Sequence, residues 1–452
     1  MKYELPETGL FVQQRLEACG FEAYFVGGLV RDLLRGVPAH DADLATNALP
    51  EEVAAAFPDC PVLKTGVKHG TVTVLVAHEP VEVTTFRVES GYSDARHPDK
   101  VLFTRRLEDD LARRDFTVNA MALHPENGIV DPFGGQHDLQ AGLLRCVGNS
   151  RDRFREDALR VLRALRFSSV LCFKLDPATA TAAAALKENI RLLSRERVQS
   201  ECSKLLCGKN VRQVLMLYPD ILSVVFPFLQ QMQGFQQHNE HHCFDLLEHT
   251  ACAVEKIAPQ THLRLAALLH DCAKPDCFRL DENGVGHFYG HAPLGARKAE
   301  TLLRELKYDN RTLQIVPLLV KWHDAPIEES TRMIKRRLNQ IGEEALRDLL
   351  QLQRADTLAL APQYHDRLAH FDRLQEILED VLQQNACFSV KKLAVSGNDL
   401  RRVGYAGRAI GQAQRLLVDA VIDEVVENDR EELLQYLQEH DSPLRRPEFD
   451  EK

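Results

Sequence analysis

The amino-acid sequence predicts an α+β protein, a small α/β head followed by an all-α remainder, and three observations carry that reading. Near the start, short alternating runs (AYFVGG, TVTVLVA, VEVTTF) are interleaved with helical stretches and with turn signals at Gly27-Gly28, Gly70 and Gly134-Gly135. From Glu156 onward the period becomes that of helices, as in EDALRVLRALRF, LRLAALLHDCAK and EEALRDLLQLQRADTLAL. At 452 residues the chain is also longer than one core usually spans, so several domains are expected.

Composition narrows the class. Hydrophobic residues make up 44% and charged residues 27%, with a single Trp, which suits a soluble, helix-rich globular chain and excludes disordered and collagen-like ones. No apolar run approaches the roughly 18 residues of a membrane span, and MKYELPETGL lacks the basic and apolar regions of a signal peptide, so a cytoplasmic location and no membrane partner are expected. The 11 Cys are scattered, and the pairs Cys202/Cys207 and Cys272/Cys277 lack C-x-x-C spacing; they read as reduced thiols. The formal charge of −10 argues against nucleic-acid binding by global electrostatics. Any such site must be a local patch, and two exist: Arg151, Arg153, Arg155, Arg160, Arg163 and Arg166, then Arg401, Arg402, Arg408 and Arg415.

Taken in order, the head offers chemistry at four places. Phe25-Val26-Gly27-Gly28 ends a strand and Leu29-Val30-Arg31-Asp32 begins a helix, so backbone N–H groups at the glycines can approach a phosphate. Asp41 and Asp43, at i and i+2 of an extended segment, point to one face, where they repel each other unless a cation lies between them. Mg²⁺, a hard ion that takes one or two carboxylates plus substrate phosphates, suits that pair. In VEVTTFR, alternation sends Val81 and Val83 into a core and leaves Glu82 accessible as a third carboxylate. Carboxylates of this kind, holding two metal ions, can serve in-line displacement at an α-phosphate.

The segment Arg113-Arg114-Asp115-Phe116-Thr117-Val118-Asn119-Ala120 supplies guanidinium donors for a triphosphate and short polar groups for a ribose. In EDALRVLRALRF, helical spacing places Asp157, Arg160 and Arg163 on one face with Arg166 at its edge, beside a buried stripe of Leu159, Leu162 and Leu165. A carboxylate acceptor beside an Arg donor can read the amino-plus-acceptor edge that cytosine and adenine share and that guanine and uracil lack, with discrimination of about 1–3 kcal/mol by analogy with groove readout.

In this order G-G-x-x-R-D, D-x-D, V-E-V-T-T-F-R, R-R-D-F-T-x-N-A and E-D-A-L-R-x-x-R-A-x-R-F resemble the class II tRNA nucleotidyltransferases, the CCA-adding enzymes, and their relatives the bacterial poly(A) polymerases. The resemblance covers residues 10–230 and resumes in LAVSGNDLRRVG and DEVVENDREELLQYL. It implies a head with a DNA polymerase β-like mixed sheet over 1–145, a helical body over 146–232 and a helical, tRNA-binding tail over 366–452. It further implies transfer of CTP and ATP to the 3′ end of tRNA with Mg²⁺ on Asp41 and Asp43 and release of pyrophosphate. Gly28, Arg31 and Arg114 would hold the triphosphate, Asp157 and Arg160 would select the base with Arg163 and Arg166 nearby, and Glu82 corresponds to a carboxylate of the superfamily. The segment Arg87 to Arg105 resembles the loop that CCA-adding enzymes use to switch from CTP to ATP.

Between body and tail, over 233–365, His249, His270-Asp271 and Asp356 resemble the HD domain of metal-dependent phosphohydrolases. The resemblance implies these four as ligands, with His291 and His323 as additions and Lys274 near bound phosphate. Imidazole with carboxylate suits Mn²⁺, Ni²⁺, Fe²⁺ or Zn²⁺ rather than Ca²⁺. Two alternatives stay open: a poly(A) polymerase or A-adding enzyme of the same family, and a protein whose main activity is hydrolysis at the HD residues.

Overall fold

The computed structural model describes residues 3–38, 42–90, 100–238 and 243–440. The chain divides into two compact units, 1–230 and 231–452.

The first unit begins with helix Glu7–Ala18 and a mixed sheet. Its strands are β1 (Ala23–Val26), β2 (Asp43–Thr46), β3 (Val62–Gly66), β4 (Thr71–Val76) and β5 (Glu79–Thr85). A separate hairpin follows, β6 (Arg87–Ser90) with β7 (Lys100–Phe103), and then β8 (Ala122–His124) and β9 (Gly128–Val130) complete the sheet. The order is β3-β4-β5-β2-β1-β8-β9, and only the β2–β5 pair is parallel. That pair is in register with Asp43 opposite Glu82 and Leu44 opposite Val83. Alternation therefore sends Leu44, Val81 and Val83 into the core with Phe25, Val72 and Val74, while Asp43 and Glu82 are both exposed.

Gly27 sits between β1 and helix Gly28–Leu34 with φ +74° and ψ −133°. A side chain there would be strained, and a Cβ would lie 3.1 Å from an Arg114 amino group, so the turn requires glycine.

Beyond the sheet come helices Leu107–Ala112, Gly135–Ala141 and Ser150–Glu156, then Leu159–Leu171 packed on Arg195–Leu206. Leu159, Leu162 and Leu165 form the buried stripe expected of them. The expected helical placement of Asp157 is corrected. It lies ahead of the helix with φ −138° and ψ 107°, because its Oδ1 accepts from the Leu159 N–H at 3.0 Å, a side-chain turn that competes with helix continuation.

The second unit is almost wholly helical. Helices Leu246–Lys256, Thr261–Leu269, Asn310–Trp322 and Glu343–Leu358 pack on one another, and His291–Glu305 packs on Asn310–Trp322. Helices Leu368–Gln383, Gly397–Arg402, Arg408–Ile422 and Arg430–His440 follow. All eleven cysteines are unpaired. Among the described residues no helix is long and apolar enough to cross a membrane.

Candidate functional site

In the first unit one cavity of about 560 Å³ gathers every head residue that the sequence singled out except Asp41, which lies outside the described residues. Asp43 and Glu82 enter from adjacent strands, Gly28 and Arg31 from the turn after β1, and Asp157, Arg160, Arg163 and Arg166 from the helical side. Seven arginines line it against four carboxylates. In a protein carrying −10 overall the lining of this cleft thus gathers more arginines than carboxylates, the side chains suited to a triphosphate. Of the segment Arg87 to Arg105, residues 91–99 lie outside the described residues, and its two flanks are β6 and β7.

Each arginine is held by its own partners. Arg31 grips Asp32 through Nε and Nη2 at 3.0 and 2.7 Å, donates to Asn119 Oδ1 at 2.7 Å and lies 5.3 Å from the Phe167 ring centre. Arg114 donates to Asp110 Oδ2 at 3.2 Å, while its buried Nε has no hydrogen-bond partner among the described residues. Arg163 pairs with Asp115 at 2.6 Å, and Arg166 pairs with Glu201 at 2.6 Å while covering the Phe167 ring at 3.8 Å. Burial alone would raise the Asp115 carboxyl, but the Arg163 charge and hydrogen bonds from Asn119 and Arg163 hold it down at about 2.

Asp157 and Arg160, expected to read the base together, both line the cavity but are paired with other residues. Arg160 is committed to Glu156 Oε2 at 2.6 Å and to the Arg153 and Arg113 carbonyls at 3.2 and 3.0 Å. The guanidinium beside Asp157 is that of Arg197, whose Nη2 donates to Oδ2 at 2.9 Å while Nη1 is buried without a hydrogen-bond partner among the described residues. Sequence reasoning missed Arg197, forty positions away on another helix. Its one signal was a position on the helix that packs against Leu159–Leu171. The structure also adds Asn119 as the residue tying Arg31 to Asp115.

Comparison with known proteins assigns the domains. Residues 23–145 match the Poly A polymerase head domain, 172–232 the probable RNA and SrmB-binding site of polymerase A, and 289–437 the putative tRNA nucleotidyltransferase domain 2. The chain belongs to the tRNA nucleotidyltransferase/poly(A) polymerase family. Among its curated relatives, the CCA-adding enzyme of Lactobacillus delbrueckii subsp. bulgaricus is 50% identical over 202 residues, 45% of this chain and 50% of that one. The CCA-adding enzyme of Ligilactobacillus salivarius is 49% identical over 217 residues, 47% and 52% of the two chains. The chain thus spans about half the length of the curated relatives it matches. The crystal structure of the Bacillus stearothermophilus CCA-adding enzyme in complex with CTP superposes with a TM-score of 0.70 at 29% identity, covering 96% of both chains. The Thermotoga maritima CCA-adding enzyme complexed with tRNA shares the fold, with a TM-score of 0.58 at 18% identity over 95% of this chain and 94% of that one. The family generally uses Mg²⁺.

In the second unit of this nucleotidyltransferase-family chain, the histidines of interest converge. His249, His270, His291 and His323 are all buried and surround Asp271, while Asp356 lies 2.8 Å from His249 Nε2. Lys274 Nζ reaches Asp271 Oδ2 at 2.6 Å and donates to Gln237 at 2.9 Å. Burial opposes charge on His270, but Asp271 and Asp356 outweigh it and push its pKa up to about 10. Burial pulls His291 below its ordinary value.

Proposed function

We propose that the chain is a CTP/ATP:tRNA nucleotidyltransferase that builds or repairs the 3′-terminal CCA of tRNA. The observation that carries the reading is the cavity in which in-register carboxylates on β2 and β5 face a wall of arginines. The likeness to CCA-adding enzymes, one of them solved with CTP, supports the same substrates.

The residues present fit Mg²⁺. Asp43 and Glu82 carry like charges from neighbouring strands onto one face, so a hard cation between them offsets a repulsion, and Asp41 would add a third oxygen ligand. Bound there, Mg²⁺ would lower the barrier to attack by the RNA 3′-hydroxyl on the nucleotide α-phosphate and neutralise the departing pyrophosphate. The chain's own side chains bind and orient. Arg31 and Arg114 hold the triphosphate near the Gly27-Gly28 turn, whose lack of Cβ lets it come close. Asp157 presents its carboxylate to the base amino group, and Arg163 and Arg166, themselves fixed by Asp115 and Glu201, keep that wall rigid.

Domain roles follow. The head spans 1–145 and the RNA-binding body 146–232, while 233–365 form a metal-binding unit of HD type and 366–452 a tRNA-binding tail in the cytoplasm. In the metal-binding unit His249, His270, Asp271 and Asp356 suit Mn²⁺, Ni²⁺, Fe²⁺ or Zn²⁺, since imidazole and carboxylate ligands converge in a buried place.

The test is incubation with Mg²⁺ and tRNA ending at the discriminator base, with CTP, ATP or both, followed by sequencing of 3′ ends. CCA from the mixture and CC from CTP alone are expected. Addition of A alone would assign the chain to the adenylating branch of the family, and no addition would overturn the reading.

A further inference from the structure

Three guanidiniums from two sides of the head cavity converge on one benzene ring. Phe167 lines that cavity at 6% exposure, and its ring centre lies 3.8 Å from the guanidinium carbon of Arg166, 5.3 Å from that of Arg31 and 5.4 Å from that of Arg163. All three fall within the roughly 6 Å over which a ring face attracts a cation. They arrive by different routes. Arg163 stands one helical turn before Phe167, Arg166 directly precedes it and folds back over the ring, and Arg31 reaches in from helix Gly28–Leu34. Phe116 meets the same ring edge-on, with 5.8 Å between centres and 82° between planes, and so orients it.

Three like charges brought close together repel. Each is offset by a carboxylate, Asp32 for Arg31, Asp115 for Arg163 and Glu201 for Arg166, but these acids stand at separate places in the chain and do not draw the cations towards one another. What the three arginines share is the ring. The case is clearest for Arg166: its contact with Glu201 is an ion pair at 2.6 Å in which neither Nε nor Oε2 makes a hydrogen bond among the described residues, so the guanidinium takes its direction from the ring that it covers. The Arg166 and Arg31 side chains are 15% and 10% exposed, which leaves little water to screen that attraction. An aliphatic residue of similar size would fill the same space without offering a negative face.

We propose that Phe167 is a positioning residue of the nucleotide cavity, whose ring gathers Arg31 from the triphosphate side with Arg163 and Arg166 from the base side into one cationic cluster before substrate arrives. The inference rests on the nucleotidyl-transfer reading of the cavity and adds a link between its two sides. A cluster assembled in advance spares the triphosphate the cost of ordering these side chains on binding. Asn119, which accepts from Arg31 at 2.7 Å and donates to Asp115 at 3.1 Å, runs beside this link and reaches Arg163 through Asp115.

The experiment replaces Phe167 in the full chain by phenylalanines carrying one, two or three ring fluorines, which drain the ring face of electron density while nearly keeping its size. KM and kcat for CTP and ATP are measured with tRNA, and binding of inorganic triphosphate is followed by calorimetry. KM should climb with each fluorine to about tenfold at three, with kcat changed by less than about twofold, and the Kd for inorganic triphosphate should climb in parallel. A KM and Kd that stay level across the fluorinated chains but rise in Phe167→Leu would show that the ring only fills space, and would overturn the proposal; so would a fall in kcat at constant KM. If the unsubstituted chain transfers no nucleotide while the Kd still climbs with fluorine number, the nucleotidyl-transfer reading fails and the role of Phe167 stands. Melting temperature monitors the fold; where three fluorines lower it, the chains with one and two are read by the same criterion.

Discussion

Arg197→Ala is the most informative change in the head. Asp157 has two restraints, Leu159 N–H on Oδ1 at 3.0 Å and Arg197 Nη2 on Oδ2 at 2.9 Å. A hydrogen bond between charged groups is worth about 1.5–3 kcal/mol, and the side chains here are 18% and 25% exposed, so solvent trims the figure to about 1.4 kcal/mol, or tenfold. Loss of Arg197 leaves the carboxylate tethered at one oxygen and free to rotate. The kcat/KM for CTP and ATP should fall about tenfold while the background with UTP and GTP stays level, so base preference falls by the same factor. The assay is single-nucleotide incorporation with each of the four triphosphates, with Arg197→Lys as a control that restores the charge but not the planar fork. An equal loss with all four nucleotides, or none, would refute the idea that Arg197 acts by orienting Asp157.

Three further outcomes follow. Asp43→Asn with Glu82→Gln should cut nucleotidyl transfer by on the order of 10³-fold without lowering the melting temperature, since the change removes like charges on an exposed strand pair; a clear drop in melting temperature would count against a purely ligating role. Gly27→Val places a branched side chain at φ +74° against Arg114 and should destabilise the chain by about 1–3 kcal/mol in urea unfolding; an unchanged midpoint would contradict the strain argument. Asp115 is depressed from 3.8 to about 2, so its pair with Arg163 contributes about 2 kcal/mol fully above pH 4, and that contribution is lost as pH falls through 2. In Asp115→Asn the acid limb of the stability curve should flatten by that amount, and an unchanged limb would mean that the pair does not bear on folding.

Legibility tracked the range over which the determining interactions act. The alternation in VEVTTFR placed Glu82 outside a Val81/Val83 core, and the Gly-Gly turn after AYFV was readable because both effects are local. Asp157 was misplaced because an Asx turn wins over helix propensity at that one residue. Arg197 and the Asn119 bridge are contacts across helices and loops, invisible to spacing. The same limit explains why His291 and His323 read as additions: their rings meet Asp271 only because two helices, one starting at His291 and one ending before His323, pack together.

The arginine clusters need reweighing once their partners are known, and this bears on how the chain would hold RNA. Arg160, Arg163 and Arg166 are spent on Glu156, Asp115 and Glu201, so they do not count as free phosphate donors. Of the first cluster only Arg151 and Arg155 are exposed, whereas Arg401, Arg402, Arg408 and Arg415 in the tail are all exposed. Salt dependence counts the phosphates actually neutralised, about one unit of slope for each on a duplex and somewhat less on single strands. If the tail supplies the contacts, Arg401→Gln with Arg402→Gln should lower the slope of log affinity against log salt by about 1.5–2 and weaken tRNA binding equally for any acceptor end. Arg163→Gln should leave that slope unchanged while impairing nucleotide use, because its charge already faces Asp115. A slope change in Arg163→Gln equal to that of the tail variant would show instead that RNA phosphates displace Asp115, and that the ion pairs lining the cleft are exchanged when RNA binds.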